Sequence, residues 1–404
     1  MEGSRDRSGL GLIVLAGAAF LSVSTEMTPV GLLPAISAEL RVSEARLGLL
    51  VTGYAFMVAL FATPLATLTA RLPRRPLLTA LLLGYLTTNT IMMCTNGFAL
   101  AAGARVLGGL THAVFWSVVP GYAARLVPPG RVGRATSVVF TGGGLAFAAG
   151  VPLGTALGTA VGWRATFGLL AGLALLLAGL LLKLVPPVAG AAAGNRPQLS
   201  TSVRLPGVAV ICGTTTVITL GHYTLYTYIA PFLQRAGVTG TGVGPVLFCY
   251  GLTGLIATWL AAMLADRYPR AILITALGLQ FTGMLALALF GRSTVAAIAA
   301  TIPWGLGFGA LPALLQTSVL RASPGAHDAA SALYTGMFNV GIGGGALVGG
   351  VVLDHAGLGA LPVIGTALTT AALAIMLTAR RTAFPGRKTV ERVVGAQPVH
   401  THDA

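Results

Sequence analysis

The chain has 404 residues, of which 55% are hydrophobic and only 9% charged, and its mean hydropathy is +0.84. A soluble domain carries about 25% charged residues, and single cores stop growing near roughly 250–300 residues, so the apolar excess must face lipid and a soluble enzyme fold is excluded. The formal charge of +15 comes from 25 Lys+Arg against 10 Asp+Glu, and the positions of those charges decide what it signals.

A bilayer-crossing helix needs about 20 mostly apolar residues, and twelve such runs follow one another. They lie near residues 9–34, 46–70, 76–96, 98–124, 135–160, 164–185, 205–232, 242–264, 270–290, 294–319, 329–353 and 359–379. Arg5 and Arg7 ahead of the first run resemble a signal peptide. The run is too long for one, however, and continues through Glu26 to Pro34, so it reads as an uncleaved first span. With the N-terminus inside, 19 basic residues fall on the cytoplasmic side, among them Arg71, Arg74, Arg75, Arg125, Arg131, Arg134, Arg267 and Arg270. Five fall outside (Arg41, Arg46, Arg164, Arg235 and Arg292), and Arg105 stands within a span. That asymmetry sets topology with both termini cytoplasmic, accounts for the net charge, and removes any need for a nucleic-acid partner. Of the 25 basic residues 23 are Arg, a bias of GC-rich bacterial genomes that points to a bacterial cytoplasmic membrane. Cys94, Cys212 and Cys249 lie in apolar runs with neither disulfide nor metal-ligand spacing.

The longest polar connection, residues 186–204, reads as a flexible linker between two six-span halves, 1–185 and 205–380, with a tail at 381–404. The halves echo each other: ATLTARLPRR (66–75) returns as AAMLADRYPR (261–270), and the fifth and eleventh spans are both glycine-rich. The expected fold is all-α, twelve transmembrane helices in two pseudo-symmetric six-helix bundles. Repeated halves of this kind place a transported molecule at the repeat interface near mid-membrane.

These residues resemble the major facilitator superfamily over essentially the whole chain. Its loop signature, G-x-x-x-D-R-x-G-R-R, is matched at Ala66–Arg75, which keeps Arg71, Arg74 and Arg75 but has Ala70 in the acidic place. The second copy, Ala262–Ala271, keeps Asp266, Arg267 and Arg270. Closer still is the resemblance to the twelve-span drug:proton antiporter branch, in its arabinose, purine-ribonucleoside and chloramphenicol efflux group. It is carried by TEMTPVGLLPAISAEL (25–40), LLVTGYAFMVALFATPLATLTARLPRR (49–75), RVLGGLTHAVFW (105–116), GVPLGTALGTAVGWRATF (150–167) and YTYIAPFL (226–233). The resemblance implies export by alternating access and a monomeric protein.

No G-x-x-x-x-G-K-[ST] is present to cradle a nucleotide. No bound cofactor is expected, which leaves ion coupling, read here as the proton gradient, or passive transport. Glu26 is the acidic residue clearly within the apolar part of a span; such a group usually faces a cavity or partner and suits proton exchange, the alternative being a helix-packing hydrogen bond. Arg105 coincides with the family's fourth-span arginine, which the resemblance associates with proton coupling. Counting 1.5 Å per residue from the span ends puts the two at one depth, as a proton-sensitive pair; alternatively backbone carbonyls hold Arg105 for structure. Arg105, Gly109, His112 and Trp116 share one helical face as a cavity wall would. His112 is either a hydrogen-bonded neutral imidazole or a proton group.

In the seventh span His222, Tyr223 and Tyr226 are candidate substrate contacts, with Tyr228 fitting an interfacial aromatic belt equally well. Tyr54, Asn89 and Asn339, with Gln280 and Gln316, are further candidate substrate contacts within spans; buried amides also serve merely to bridge helices. Gly142, Ala146, Gly150, Gly154 and Gly158 form a small-residue row for close packing, with Pro152 as a bend; GVPLG resembles the antiporter motif of this span. Gly341, Gly345 and Gly349 repeat the spacing and are read as the sliding contact between halves. Asp354 and His355 are placed at the cytoplasmic surface or its entrance. The reading is a secondary exporter of a neutral or weakly cationic amphipathic molecule, an antibiotic or related metabolite, in exchange for protons. A sugar or nucleoside efflux protein or uniporter without obligatory protons is the alternative.

Overall fold

The computed structural model describes residues 2–128, 131–190, 206–265, 267–323, 327–379 and 383–384. Lipid offers backbone groups no hydrogen bonds, so a spanning chain must satisfy them internally as helix; among the described residues there is no strand. Among the described residues, twelve helical segments are long and apolar enough to cross a membrane. The first span lies in Glu2–Leu40, the second is Glu44–Thr69, the third Arg74–Cys94 and the fourth Phe98–Arg125. The fifth joins Val132–Leu145 to Val151–Val161, and the sixth is Trp163–Leu184. The seventh, Pro206–Tyr226, breaks at Thr227–Tyr228 and resumes as Ile229–Arg235. Then come Gly240–Leu264, Pro269–Phe290, Thr294–Ala322, His327–Ala356 and Leu361–Thr378. Gly162 (φ 99°) and Gly357 (φ 76°) turn the chain into the sixth and twelfth spans at matching places in the two halves. Side chains rarely adopt that backbone region.

Packing shows how the halves meet. One hydrophobic core is shared: Leu33, Ile36, Leu47 and Leu50 of the first half interlock with Tyr228, Ile229, Phe232 and Leu233 of the second. Two further large cores stay separate. One draws on the first half alone, around Leu15, Leu82, Phe115 and Leu177, and the other on the second half alone, around Ile211, Leu277, Leu311 and Tyr334. The molecule is therefore closed at the end carrying the 41–43 turn and divided at the end carrying the 70–73 turn.

Glycines set the seams, and not where the spacing had put them. The Gly142–Gly158 row packs inside the first half: Gly142 meets the Ala16 backbone, Gly150 meets Ser24 and Phe20, and Gly154 lies against Thr166. Gly341, Gly345 and Gly349 likewise stay inside the second half, against Thr219, Leu220 and Thr224 of the seventh span. The contact between halves uses other faces of the same helices. A Cβ on Gly343 would lie 2.8 Å from Phe56, and one on Gly350 would lie 3.3 Å from the Ala45 oxygen, both in the second span. On the other seam Gly244 faces Pro152 and Ala156, and Gly251 faces Phe147 and Ala148. Small-residue rows allow close approach, but spacing alone does not say to which neighbour.

Pro152 has a visible consequence. It cannot donate to the carbonyl four residues back, and the chain answers with a π turn at Ala146–Gly150, where the Val151 N–H reaches the Ala146 oxygen. That turn sits against Gly251. Adding one methyl there drives it into fifth-span backbone, which cannot move aside as a side chain would. Gly251→Ala is expected to shift the protein away from closure at the end carrying the 41–43 turn. Spin labels replacing the exposed Arg41 and Arg292 report it as a lengthened distance.

Two other expectations are corrected. Residues 186–190 belong to the first bundle's surface: Tyr122 donates to the Pro186 carbonyl at 2.7 Å, Arg125 to Ala189 at 2.7 Å, and Arg74 N–H to Val188 at 2.9 Å. The remaining linker, 191–204, lies outside the described residues. Asp354 stands at the closed end with Glu44, both beside Tyr228, which is opposite to the end carrying the 70–73 turn.

Candidate functional site

The first half is organised around a proline. Pro29 lacks the N–H that would bond the Thr25 carbonyl, and Arg105 of the fourth span supplies the missing donor: Nη1 reaches the Thr25 oxygen at 2.7 Å and Nη2 the Glu26 oxygen at 2.7 Å. The guanidinium lies over the Tyr54 ring, 4.1 Å from its centroid, a cation–π contact. Arg105 is 2% exposed. The two residues expected at one depth do meet, but through the main chain. No contact joins the guanidinium to the Glu26 carboxylate within 4.0 Å, so the direct ion pair is replaced by a carbonyl clamp.

The Glu26 carboxylate turns to His112, whose Nε2 is 3.7 Å from Oε2. Its other oxygen, Oε1, is buried without a partner. His112 Nδ1 lies 3.0 Å from both the Ser22 Oγ and the Tyr54 hydroxyl, and Ser22 is 2.6 Å from the Tyr85 hydroxyl. Asn89 is enclosed in the first bundle, donating to Thr25 Oγ1 and the Tyr85 carbonyl, so it bridges the third and first spans instead of reaching a ligand. Trp116 is half-buried, 6.2 Å from His112 and 5.4 Å from Phe140, which is 53% exposed. These two rings lead from the polar cluster toward the divided end. Across the seam, Tyr223 of the seventh span, buried in the core that the halves share, lies near Glu26.

The matching helices of the second half, seventh and tenth, meet around an uncharged aromatic cluster. His222 stacks on Phe308 (centroids 3.4 Å, planes 6° apart) and on Tyr226 (5.0 Å), with Tyr223 and Tyr250 edging the same group. Trp304 Nε1 donates to His222 Nδ1 at 3.0 Å. An indole N–H only donates, so Nδ1 accepts and the ring proton stands on Nε2, 3.5 Å from the Tyr250 hydroxyl. His222, Tyr223 and Tyr226 are sealed in this state, at most 1% exposed. Trp304→Phe is expected to cost about 1–3 kcal/mol by orphaning a buried acceptor, read as a lower unfolding temperature in detergent. Tyr228 is not in a lipid-facing belt. It is fully buried on the seam, donates to the Ala346 carbonyl at 2.8 Å, and fills the space left by Gly48 and Gly350.

Asn339 donates to the Thr335 carbonyl at 3.0 Å and keeps a buried Oδ1 without a partner. Gln280 bridges to Thr369 at 3.3 Å, and Gln316 to Ser331 at 2.8 Å. In the loop signature Arg74 binds the Ala70 and Thr69 carbonyls, capping the second span where the family places its acid. Arg71 is exposed, Arg75 Nε has no partner, and Arg267 lies over Tyr268 at 5.4 Å. Asp266 lies outside the described residues. Ser22, Tyr85, Tyr250, Trp304 and Phe308 escaped the sequence reading. Pro29, four residues after Thr25, is the one signal in the sequence that could have shown where Arg105 would be held.

A family model described as Major Facilitator Superfamily matches residues 15–218 and 211–400. The chain belongs to that superfamily. It is a multi-pass membrane transporter and not an enzyme. The fold is shared with the crystal structure of a mutant of the nucleoside transporter NupG, at TM-score 0.77 and 12% identity over 92% of this chain and 99% of that one. It is shared also with the human organic anion transporter MFSD10 (TETRAN), at 0.66 and 18% over 92% and 99%. A bacterial homologue of the human lysosomal transporter Spinster, inward-facing and unoccupied, matches at 0.65 and 16% over 92% and 94%. Identities this low speak for the fold alone.

Proposed function

We propose that this transporter exports a small amphipathic molecule in exchange for protons, as a member of the drug:proton antiporter branch in a bacterial cytoplasmic membrane. The observation that carries the reading is Glu26, a carboxylate buried in mid-span with one oxygen unpartnered, against the seam that must open and close. An unpaired charge in that place is expensive, so a proton is its natural partner. Both termini are inside by the arginine distribution, which makes the closed end the outer one and this state inward-open. The bundles 1–185 and 205–380 rock about the glycine seams, and the protein works as a monomer without a bound cofactor.

The ligand faces aromatic side chains and few free charges: Arg105 is clamped, and Trp116 and Phe140 stand toward the open end. That favours a neutral or weakly cationic molecule, an antibiotic or related metabolite such as a chloramphenicol-like compound. The competing reading, nucleoside or sugar efflux without obligatory protons, is favoured by the fold shared with a nucleoside transporter. Everted vesicles separate the two. Antiport predicts that a substrate from a panel of antibiotics, nucleosides and sugars dissipates an imposed pH gradient. Uniport predicts labelled-substrate flux that persists after an ionophore collapses that gradient.

A further inference from the structure

An arginine locked onto main-chain carbonyls cannot easily answer each arrival and departure of a proton on Glu26, so another group must face the carboxylate when its charge changes. We propose that His112 is that group: Glu26 and His112 share the transported proton, and the hydroxyls of Ser22 and Tyr54 hold the imidazole in place for it. The inference rests on the reading of Glu26 as the proton carrier and deepens it.

The geometry gives the two ring nitrogens different tasks. Nδ1 has two hydroxyls at 3.0 Å, from Ser22 and Tyr54. A neutral imidazole has one N–H and one lone pair. With a hydroxyl donating into Nδ1, the proton stands on Nε2, on the side of Glu26 Oε2 at 3.7 Å. Should the ring take a second proton, at Nδ1, the Ser22 or Tyr54 oxygen accepts it by rotating its own hydroxyl, and no heavy atom has to move. Ser22 has Tyr85 at 2.6 Å to take up that rotation.

In the loaded pair, imidazolium and carboxylate interconvert with neutral imidazole and carboxylic acid: the Nε2–H bond breaks as the Oε2–H bond forms, and the ring keeps the electron pair on Nε2. Unloading removes that one proton and leaves neutral His112 with the Glu26 carboxylate. The separation of 3.7 Å is longer than a hydrogen bond of about 2.7–3.2 Å. Transfer therefore requires an approach of roughly 1 Å, the scale of helix shifts in switching proteins.

The other groups facing Glu26 are fixed or neutral. Tyr54 of the second span and Tyr85 of the third are engaged with His112 and Ser22, Arg105 of the fourth holds carbonyls, and Tyr223 of the seventh completes the set. The fifth and sixth spans carry charge only near their ends, at Arg134, Arg164 and Lys183, and the eighth, Gly240–Leu264, carries none.

The experiment is infrared difference spectroscopy of the full-length protein in lipid nanodiscs through a pH titration, with no substrate required. Glu26→Gln assigns the carbonyl stretch of the protonated carboxyl. In the native protein that band and the imidazole ring bands are expected to change together, as coupled sites do. His112→Gln is expected to move the carboxyl midpoint by about one pH unit or more, with Tyr54→Phe moving it less while shifting the ring bands. A carboxyl midpoint unchanged in both variants, each folded by its thermal transition, overturns the shared proton. Should His112→Gln fail to fold, Tyr54→Phe decides alone. If no band assignable to Glu26 titrates in the native protein, the failure belongs to the proton-carrier reading itself, and the shared proton falls with it.

Discussion

Glu26→Gln is expected to reduce substrate-driven proton release in everted vesicles to the level of vesicles without the protein, while exchange of labelled for unlabelled substrate continues. Glutamine nearly reproduces the shape of a protonated glutamate but cannot release a proton. If Glu26 carries the coupled proton, the variant is permanently in the loaded form. The proposed rocking of the two bundles passes through the seams at Gly244, Gly251, Gly343 and Gly350, which the substitution leaves alone, so substrate is expected still to cross in exchange. Concentrative export is lost because nothing returns with the gradient. A bystander glutamate in a helix-packing role predicts the opposite pattern: proton release retained, with at most a drop in thermal stability. Undiminished, pH-dependent concentrative export by Glu26→Gln rules the assignment out.

The fold was legible because lipid imposes a simple rule. Every span must be apolar and helical, so counting apolar runs recovers twelve helices, and the echo of 66–75 in 261–270 recovers the two halves. Depth was legible for the same reason, since a fixed rise per residue brought Arg105 level with Glu26. Direction was not. Which carbonyl or carboxylate a guanidinium takes depends on the azimuth of two helices, and that follows from packing far from either residue. The glycine rows failed similarly: spacing shows that a helix has a close neighbour, but Gly341 and Gly343 stand on different faces of one helix and touch different halves. The aromatic cluster around His222 was half visible, because His222, Tyr223 and Tyr226 are near one another in sequence. Trp304 and Phe308 come from a helix some eighty residues away. Tyr228 fitted a belt as well as a substrate contact because tyrosines near span ends often lie at the interface; the break at Thr227–Tyr228, followed by Pro231, turns it into the seam instead.

Removing the Arg105 guanidinium is expected to be the most destabilising single change in the first half, and the reason can be tested by restoring a bond elsewhere. Arg105→Gln loses two short hydrogen bonds from a charged donor, each contributing about 1.5–3 kcal/mol, and leaves Tyr54 without its cation. The sum, roughly 3–6 kcal/mol, is a large part of the 5–15 kcal/mol typical of folded domains. Much of that loss comes from the Thr25 carbonyl, which Pro29 leaves without a helical donor. Pro29→Ala returns an N–H to the first span at the position that bonds Thr25. The pair should therefore be non-additive: Pro29→Ala/Arg105→Gln unfolds at a higher temperature than Arg105→Gln alone. Equal unfolding temperatures for the single and double variants would mean that Arg105 does not act through the proline gap. The same double variant carries a functional message. With Thr25 satisfied by its own helix, the clamp is no longer needed for stability, so any loss of proton-coupled export that persists belongs to the positive charge beside Glu26 and His112. Recovery of export along with stability would assign the arginine to architecture and leave the carboxylate–imidazole pair to carry the proton.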